Sequence, residues 1–194
     1  MSREYTPLVS HPLVPGAHLP EPQRHAGRSG FDSPALDLMT DFTIVPAATI
    51  EPSATVKEAN LSMIRRAVRS LLVTDPDRRV VGIITATDLL GERPVRVALE
   101  LKIAHTEVLV RDVMTPTERL EVLRFEDVES AKIGHVAAAL AHAGRQHTLV
   151  VQTGPDGDTV RGIFSLTHIA AALGIALQAP EIATTFADVE AALR

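Results

Sequence analysis

The sequence predicts an α/β (α+β) fold built from one β-α-β-β-α unit used twice, flanked by an extended N-terminal tail and a C-terminal helix. Three observations predict it. Short pieces of sequence recur in the same order about 75–80 residues apart. Each copy alternates apolar strand-like runs with amphipathic helical stretches. The 194 residues are 45% hydrophobic and 22% charged, enough apolar material for a packed core at a length that suits two small units.

The recurrence is explicit. Asp37-Leu38-Met39-Thr40 returns as Asp112-Val113-Met114-Thr115, Leu71-Leu72-Val73 as Leu149-Val150-Val151, and Gly82-Ile83-Ile84-Thr85 as Gly162-Ile163-Phe164-Ser165. The offset grows along the chain, which places about five extra residues in the second copy between Leu120 and its hairpin turn. The expected divisions are a tail over 1–33, repeats over 34–92 and 109–174, a connecting segment over 93–108 and a terminal helix over 175–194.

The elements follow in order. Prolines 7, 12, 15, 20 and 22 remove backbone donors and disfavour helix, so the first 33 residues read as an extended tail or partner-binding arm. After each Met-Thr pair an extended piece is expected, Thr43 to Val45 and Leu120 to Phe125. A helix then carries Val56, Ala59, Met63 and Ala67 at intervals of three and four, with Ser53 as its start. Its counterpart runs from Ala131 to Ala143 and is closed by Gly144. Apolar strands lead into Asp75-Pro76-Asp77 and Gly154-Pro155-Asp156-Gly157, both turn sequences. Return strands run into second helices ended by Gly91 and Gly174. Arg93 to Ala104 reads as a connecting helix. From Pro180 onward, Ile182, Phe186, Val189 and Leu193 predict a terminal amphipathic helix.

Composition narrows the function. Nineteen Lys and Arg against 24 Asp and Glu give a formal charge of −5, and aromatics are 3%. Neither a general nucleic-acid surface nor a base-stacking platform is expected, so nucleic acid is not an expected partner. With no cysteine, disulfides, thiolate metal sites and cysteine nucleophiles are excluded. No basic start followed by an apolar run marks a secretory leader, and the longest apolar run, Ile169 to Leu177, is too short to span a membrane; a cytoplasmic protein is expected. No phosphate loop, dinucleotide fingerprint or His-Glu-x-x-His motif occurs, so no catalytic residue and no metal site is predicted. His11, His18 and His25 in the tail, His135 with His142, and the acidic group Glu126, Asp127 and Glu129 read as solvated rather than metal-binding.

The repeated Asp-x-Met-Thr opening, the strand before Asp-Pro-Asp, and Gly82-Ile83-Ile84-Thr85-Ala86-Thr87-Asp88 resemble the CBS (cystathionine-β-synthase-type) domain, here as the tandem pair called a Bateman module. The likeness covers about residues 35–174. It implies pseudo-two-fold packing of the repeats through their sheets, homodimerisation, and a regulatory module binding an adenine nucleotide (AMP, ADP or ATP) or S-adenosylmethionine, with an unidentified regulated protein as partner.

In Gly82-x-x-Thr85-x-x-Asp88, a strand hands over to a helix whose free N–H groups and dipole favour a phosphate. The resemblance gives the Thr85 hydroxyl to phosphate, the Asp88 carboxylate to ribose hydroxyls, Val68 and Ile83 to the base, and Arg69 to phosphate charge. The other reading of the same pair is local: Thr85 caps the helix and Asp88 steadies its first turn. The second copy has His168 in place of the carboxylate, and a neutral imidazole accepts only one hydrogen bond. Its Ser165, Ile163 and His147 are weaker candidates, and Arg145 and His147 stand as cations before the strand. One competent site per chain is expected. The alternative is a ligand-free dimerisation scaffold in which the nucleotide site is vestigial.

Overall fold

A computed structural model describes residues 30–155 and 157–175. Most of the expected tail and all of the terminal helix from Pro180 lie outside the described residues.

Two four-stranded sheets form. In the first, β2 (Thr49–Ile50), β3 (Ser70–Thr74), β4 (Val80–Thr85) and β5 (Thr115–Pro116) lie side by side in that order. In the second, β1 (Thr40–Asp41), β8 (Gly157–Ser165), β7 (His147–Gly154) and β6 (Val122–Arg124) do the same. The hairpins β3–β4 and β7–β8 are antiparallel, while β2 and β6 join them in parallel. Helices cover the outer faces: α1 (Val56–Arg66), α2 (Ala86–Leu90) and α3 (Arg93–Leu101) in the first half, α5 (Phe125–Glu129), α6 (Ile133–His142) and α7 (Leu166–Ala172) in the second.

The edge strands are exchanged. β1 comes from the opening of the first copy but pairs with β8 of the second, Thr40 facing Ile163 and Asp41 facing Gly162. β5 opens the second copy but pairs with β4 of the first, Gly82 facing Pro116. The neighbouring turns follow. Ala35 and Leu38 pack with Phe125, Ile133, Leu140 and Phe164, whereas Val110 and Val113 of α4 (Val110–Val113) pack with Val56, Met63, Leu71 and Ile84. Each half therefore completes its core with residues that the chain order places in the other.

Two glycines permit this. A Cβ on Gly82 would stand 2.6 Å from the Thr115 carbonyl oxygen and 2.9 Å from the Met114 sulfur. On Gly162 it would stand 2.7 Å from the Thr40 oxygen and 3.0 Å from the Met39 sulfur. The two repeated signatures, Met-Thr and Gly-apolar-apolar, are thus the two sides of one contact, made crosswise.

A polar clamp adds to the β1 exchange only. Arg161 meets both oxygens of Asp41, at 3.0 Å through Nε and 2.9 Å through the terminal nitrogen. Its guanidinium also lies 4.6 Å from the centre of the Phe125 ring. Asp41 further accepts from the backbone and hydroxyl of Thr43. These partners, the Arg161 bond first, hold its carboxyl well below the usual range.

Between the sheets, Leu72 and Ile83 of one half meet Leu149 of the other, flanked by Phe42, Leu120, Val160 and Ile163. No polar or charged residue is fully buried among the described residues.

Several expected details shift. Thr43 to Val45 is a turn rather than a strand, because Asp41 captures Thr43 two residues on; the extended piece is β2. Thr55, not Ser53, caps α1: its hydroxyl and Glu58 form a reciprocal capping box, while Ser53 bonds Glu51. Ala67 leaves the apolar stripe as the left-handed C-cap at φ 52°. The acidic group of the second copy lies in helix α5, with Phe125 and Val128 turned into the core. That helix and the longer β7–β8 hairpin hold the extra residues of the second copy. Arg93 to Leu101 is helical as expected, and Gly144, at φ 60°, closes the helix before it.

Gly82→Ala should cost about 1–3 kcal/mol, the usual penalty for a forced overpacking, because the clashing atoms are backbone. Thermal unfolding measures it; a Tm equal to that of the unaltered chain would contradict the crosswise contact.

Candidate functional site

At the end of the inter-sheet contact where β3 and β7 begin, a cleft of about 260 Å3 opens between the halves. The first half contributes Ile83, Thr85 and Asp88, and the second contributes Glu121, Arg145 and His147. Four of the expected site residues, Ile83, Thr85, Asp88 and His147, thus share one cavity. Ile83 occupies its apolar floor beside Leu149.

Thr85 stands at the last position of β4 and caps α2. Its hydroxyl donates to Asp88 Oδ2 at 2.7 Å and accepts from the Asp88 N–H at 3.3 Å. Asp88 Oδ2 also accepts the Thr85 N–H at 2.9 Å. The pair forms a closed capping box. The Ala86 N–H is taken as well, by the Arg69 carbonyl at 2.8 Å. The second carboxylate oxygen, Oδ1, has only a loose approach by Arg93 at 3.9 Å among the described residues, and so has acceptor capacity left. Offering the Thr85 hydroxyl as a donor to a phosphate requires it to leave Asp88, a change worth about 1 kcal/mol by the usual strength of such caps.

Opposite, Arg145 is held by the segment before β6. Its guanidinium donates to the carbonyls of Arg119 at 3.2 Å and Glu121 at 3.4 Å, and lies 3.3 Å from the Glu121 carboxylate. Thr87 and Gln146 bridge the halves at 3.5 Å.

His147 carries the most perturbed titration in the cleft. Its Nδ1 is buried with no hydrogen-bond partner among the described residues. Burial first, then the nearby charge of Arg69, pushes its pKa down to about 4, so the ring is neutral at pH 7. An unpaired buried ring nitrogen is the kind of atom that a ligand or a water completes.

The other expected residues lie elsewhere. Val68 packs half-buried against the first-half core, and Arg69 is exposed beside the cleft rather than lining it. Ile163 belongs to the inter-sheet contact, and Ser165 pairs with His147 across β7–β8. Ser165 makes no side-chain cap bond, and His168 is exposed, so the second half has no counterpart of the Thr85–Asp88 box. Gln146 holds the place of Arg69: its carbonyl takes the Leu166 N–H at 2.8 Å as Arg69 takes that of Ala86. Arg145 and His147 thus flank the matching position rather than occupy it. Glu121 carries no motif in the sequence; it lines the cleft because the segment before β6, which pairs with β7 of the same half, holds Arg145. Among the described residues, no group of three or more histidine or acidic side chains is placed to hold a metal, and no helix is long and apolar enough to cross a membrane.

Comparison with known proteins bears on the same elements. Residues 35–94 match the family profile of the CBS domain. No curated protein matches the chain. Among solved structures, an uncharacterised conserved protein of Pyrococcus horikoshii is 25% identical with a TM-score of 0.54, the match covering 78% of this chain and 99% of that one. CBSX2, a CBS-pair protein of Arabidopsis thaliana solved with AMP, is 27% identical with a TM-score of 0.53, over 74% of this chain and 98% of that one. The CBS domain pair of MJ0100, solved with methylthioadenosine and S-adenosylmethionine, shares the fold at 21% identity and a TM-score of 0.52, over 73% and 96%.

The His147 shift sets a pH dependence. A base whose folded pKa lies below its ordinary 6.5 binds a proton first in the unfolded chain. Its contribution to stability is full above about pH 6.5 and is lost as pH falls toward 4. The carboxylates with lowered values, Asp32, Asp41 and Glu58, lose their contribution only as pH falls through their ordinary range near 4 and below. Tm of the unaltered chain should therefore fall between pH 6.5 and 4.5, and His147→Phe should flatten that fall. Equal slopes in the two proteins would refute the assignment.

Proposed function

We propose that this chain is a pair of CBS-type domains, a reading supported by the single-domain profile match over residues 35–94 and by the fold, and that it is a regulatory module and not an enzyme. It takes an adenine nucleotide (AMP, ADP or ATP) or an adenosyl compound such as S-adenosylmethionine in the cleft between its halves. One observation carries this reading: Asp88 and Thr85 of one half face Arg145 and His147 of the other across a single cavity. A carboxylate oxygen suited to a ribose hydroxyl thereby stands opposite a guanidinium suited to a phosphate. The AMP bound by CBSX2, at 27% identity, supports the ligand class. Val68, Ser165 and Ile163 act at most through packing, and Arg69 through its charge on His147.

A ligand that touches both halves favours the arrangement in which its contacts close. Binding thus biases their relative orientation, and a partner protein that reads that orientation is regulated. The setting is cytoplasmic, where such nucleotides are abundant. Titration calorimetry with AMP, ADP, ATP and S-adenosylmethionine tests the proposal. At least one should bind, and Asp88→Ala should remove most of the heat. Asp88→Asn, which keeps one acceptor for the helix cap, should fold normally and still bind weakly. Absence of binding by all four ligands would refute the reading.

A scaffold without ligand is the second reading, favoured by the closed Thr85–Asp88 box, which satisfies both side chains locally. Either way the module is a homodimer. The helical layer of the first half exposes Ile64 on α1, Leu90 on α2, and Val95 and Leu99 on α3, with Leu99 75% exposed. The helices of the second half expose no large apolar side chain among the described residues. An uncovered apolar layer of this kind marks an interface. Sedimentation should show a dimer that Leu99→Glu shifts to monomer; a monomeric unaltered chain would contradict the interface.

A further inference from the structure

We propose a second ligand site, separate from the cleft and shaped for a small amphipathic anion, in the groove between the two hairpin ends. The groove has a volume of about 880 Å3, within the range of about 300–1,000 Å3 typical of small-molecule sites. It lies across the Leu72–Leu149 contact from the nucleotide cleft, at the opposite ends of the same strands. Its floor is apolar: Leu72 and Leu149 are buried there, and Phe42, Val80 and Val160 pack half-buried around them. Val122, 42% exposed, continues the apolar surface at the rim.

The rim carries charge of one prevailing sign. Arg78 and Arg79 line it from the first hairpin, Asp158 from the second. Asp158 already has partners, Arg124 at 3.7 Å and the Thr153 hydroxyl at 2.6 Å. Arg79 has a fully solvated contact with Asp77 at 3.6 Å, and Arg78 has no carboxylate within ion-pair distance among the described residues. Two arginines thus face an apolar floor in a chain whose formal charge is −5. A cationic rim over an apolar floor suits a ligand with an apolar body and one anionic head.

The backbone at Arg78 points the same way. It holds φ 63°, the left-handed region that favours glycine, and the second hairpin does use a glycine at positive φ, Gly157. The turn sets this conformation through the Arg78 N–H on the Asp75 carbonyl at 2.9 Å and the Arg79 N–H on the Asp75 carboxylate at 2.8 Å, and it places both arginines at the rim.

Anilinonaphthalene sulfonate, an aromatic anion whose fluorescence rises in apolar surroundings, is the probe for the 194-residue chain. Saturable binding is expected, displaced by decanoate and not by decanol at equal concentration. Arg78→Gly, which relieves the backbone strain and so keeps the turn, should weaken the probe by up to about fivefold, the size of a partly exposed ion pair. Val160→Trp should fill the groove and abolish saturable binding. Asp88→Ala and excess AMP should leave it unchanged, which separates this site from the cleft. The proposal is overturned if the probe does not saturate, as a groove covered by a second copy would give. It is equally overturned if AMP releases the probe, if decanol competes as well as decanoate, or if Arg78→Gly has no effect.

Discussion

Two strips of backbone, Met39-Thr40 and Met114-Thr115, lie against two residues that have no side chain, Gly162 and Gly82. Everything else depends on that approach. Each strip closes the edge of the opposite sheet, and the short turn beside it drops Ala35 and Leu38, or Val110 and Val113, into the opposite core. Neither half can complete its apolar interior from its own stretch of sequence. A unit of some 60 residues buries a modest share of its surface, so borrowing core residues across the molecule is the physical reason the halves stay together. The sheets are thereby held face to face, and the gap at one end of their contact becomes the cleft.

The symmetry is broken in ways that assign different duties to the halves. The β1 exchange is reinforced by Arg161 gripping Asp41, whereas β5 presents Pro116 at the equivalent place and has no such grip. The first half caps its second helix with a carboxylate and a hydroxyl; the second half, with His168, does not. The clamp thus strengthens one of the two crosswise joints, and the carboxylate–hydroxyl pair at the cleft belongs to the first half alone.

Much of this was legible in the residues. The doubled element order, the β3–β4 and β7–β8 hairpins and the helix starts follow from periodicity and turn chemistry, which act over a few residues. Thr85 and Asp88 could be found because their spacing of three is meaningful on a helix start whether they cap or bind. The exchange was hidden, because the repeats look alike and a strip of Met-Thr fits either sheet equally well in sequence. Its only trace was the glycine at 82 and 162, read as part of a motif rather than as room for a foreign backbone. Glu121 and the burial of His147 were hidden because each depends on tertiary contacts, Glu121 on Arg145 and His147 on the packing of the two halves, that no local pattern encodes. Thr43 to Val45 misled because β-branched residues favour strands, until Asp41 bends the chain through a local bond that propensity does not count.

If the exchange is the joint that holds the two halves, they must lose structure together. Hydrogen exchange on the 194-residue chain tests this directly, comparing amides of β3 with amides of β7 in the unaltered protein and in Gly162→Ala. The account predicts that both strands exchange with the same opening free energy, and that the substitution lowers protection in both alike. Loss of protection confined to β7, with β3 unaffected, would show two independent units and contradict it.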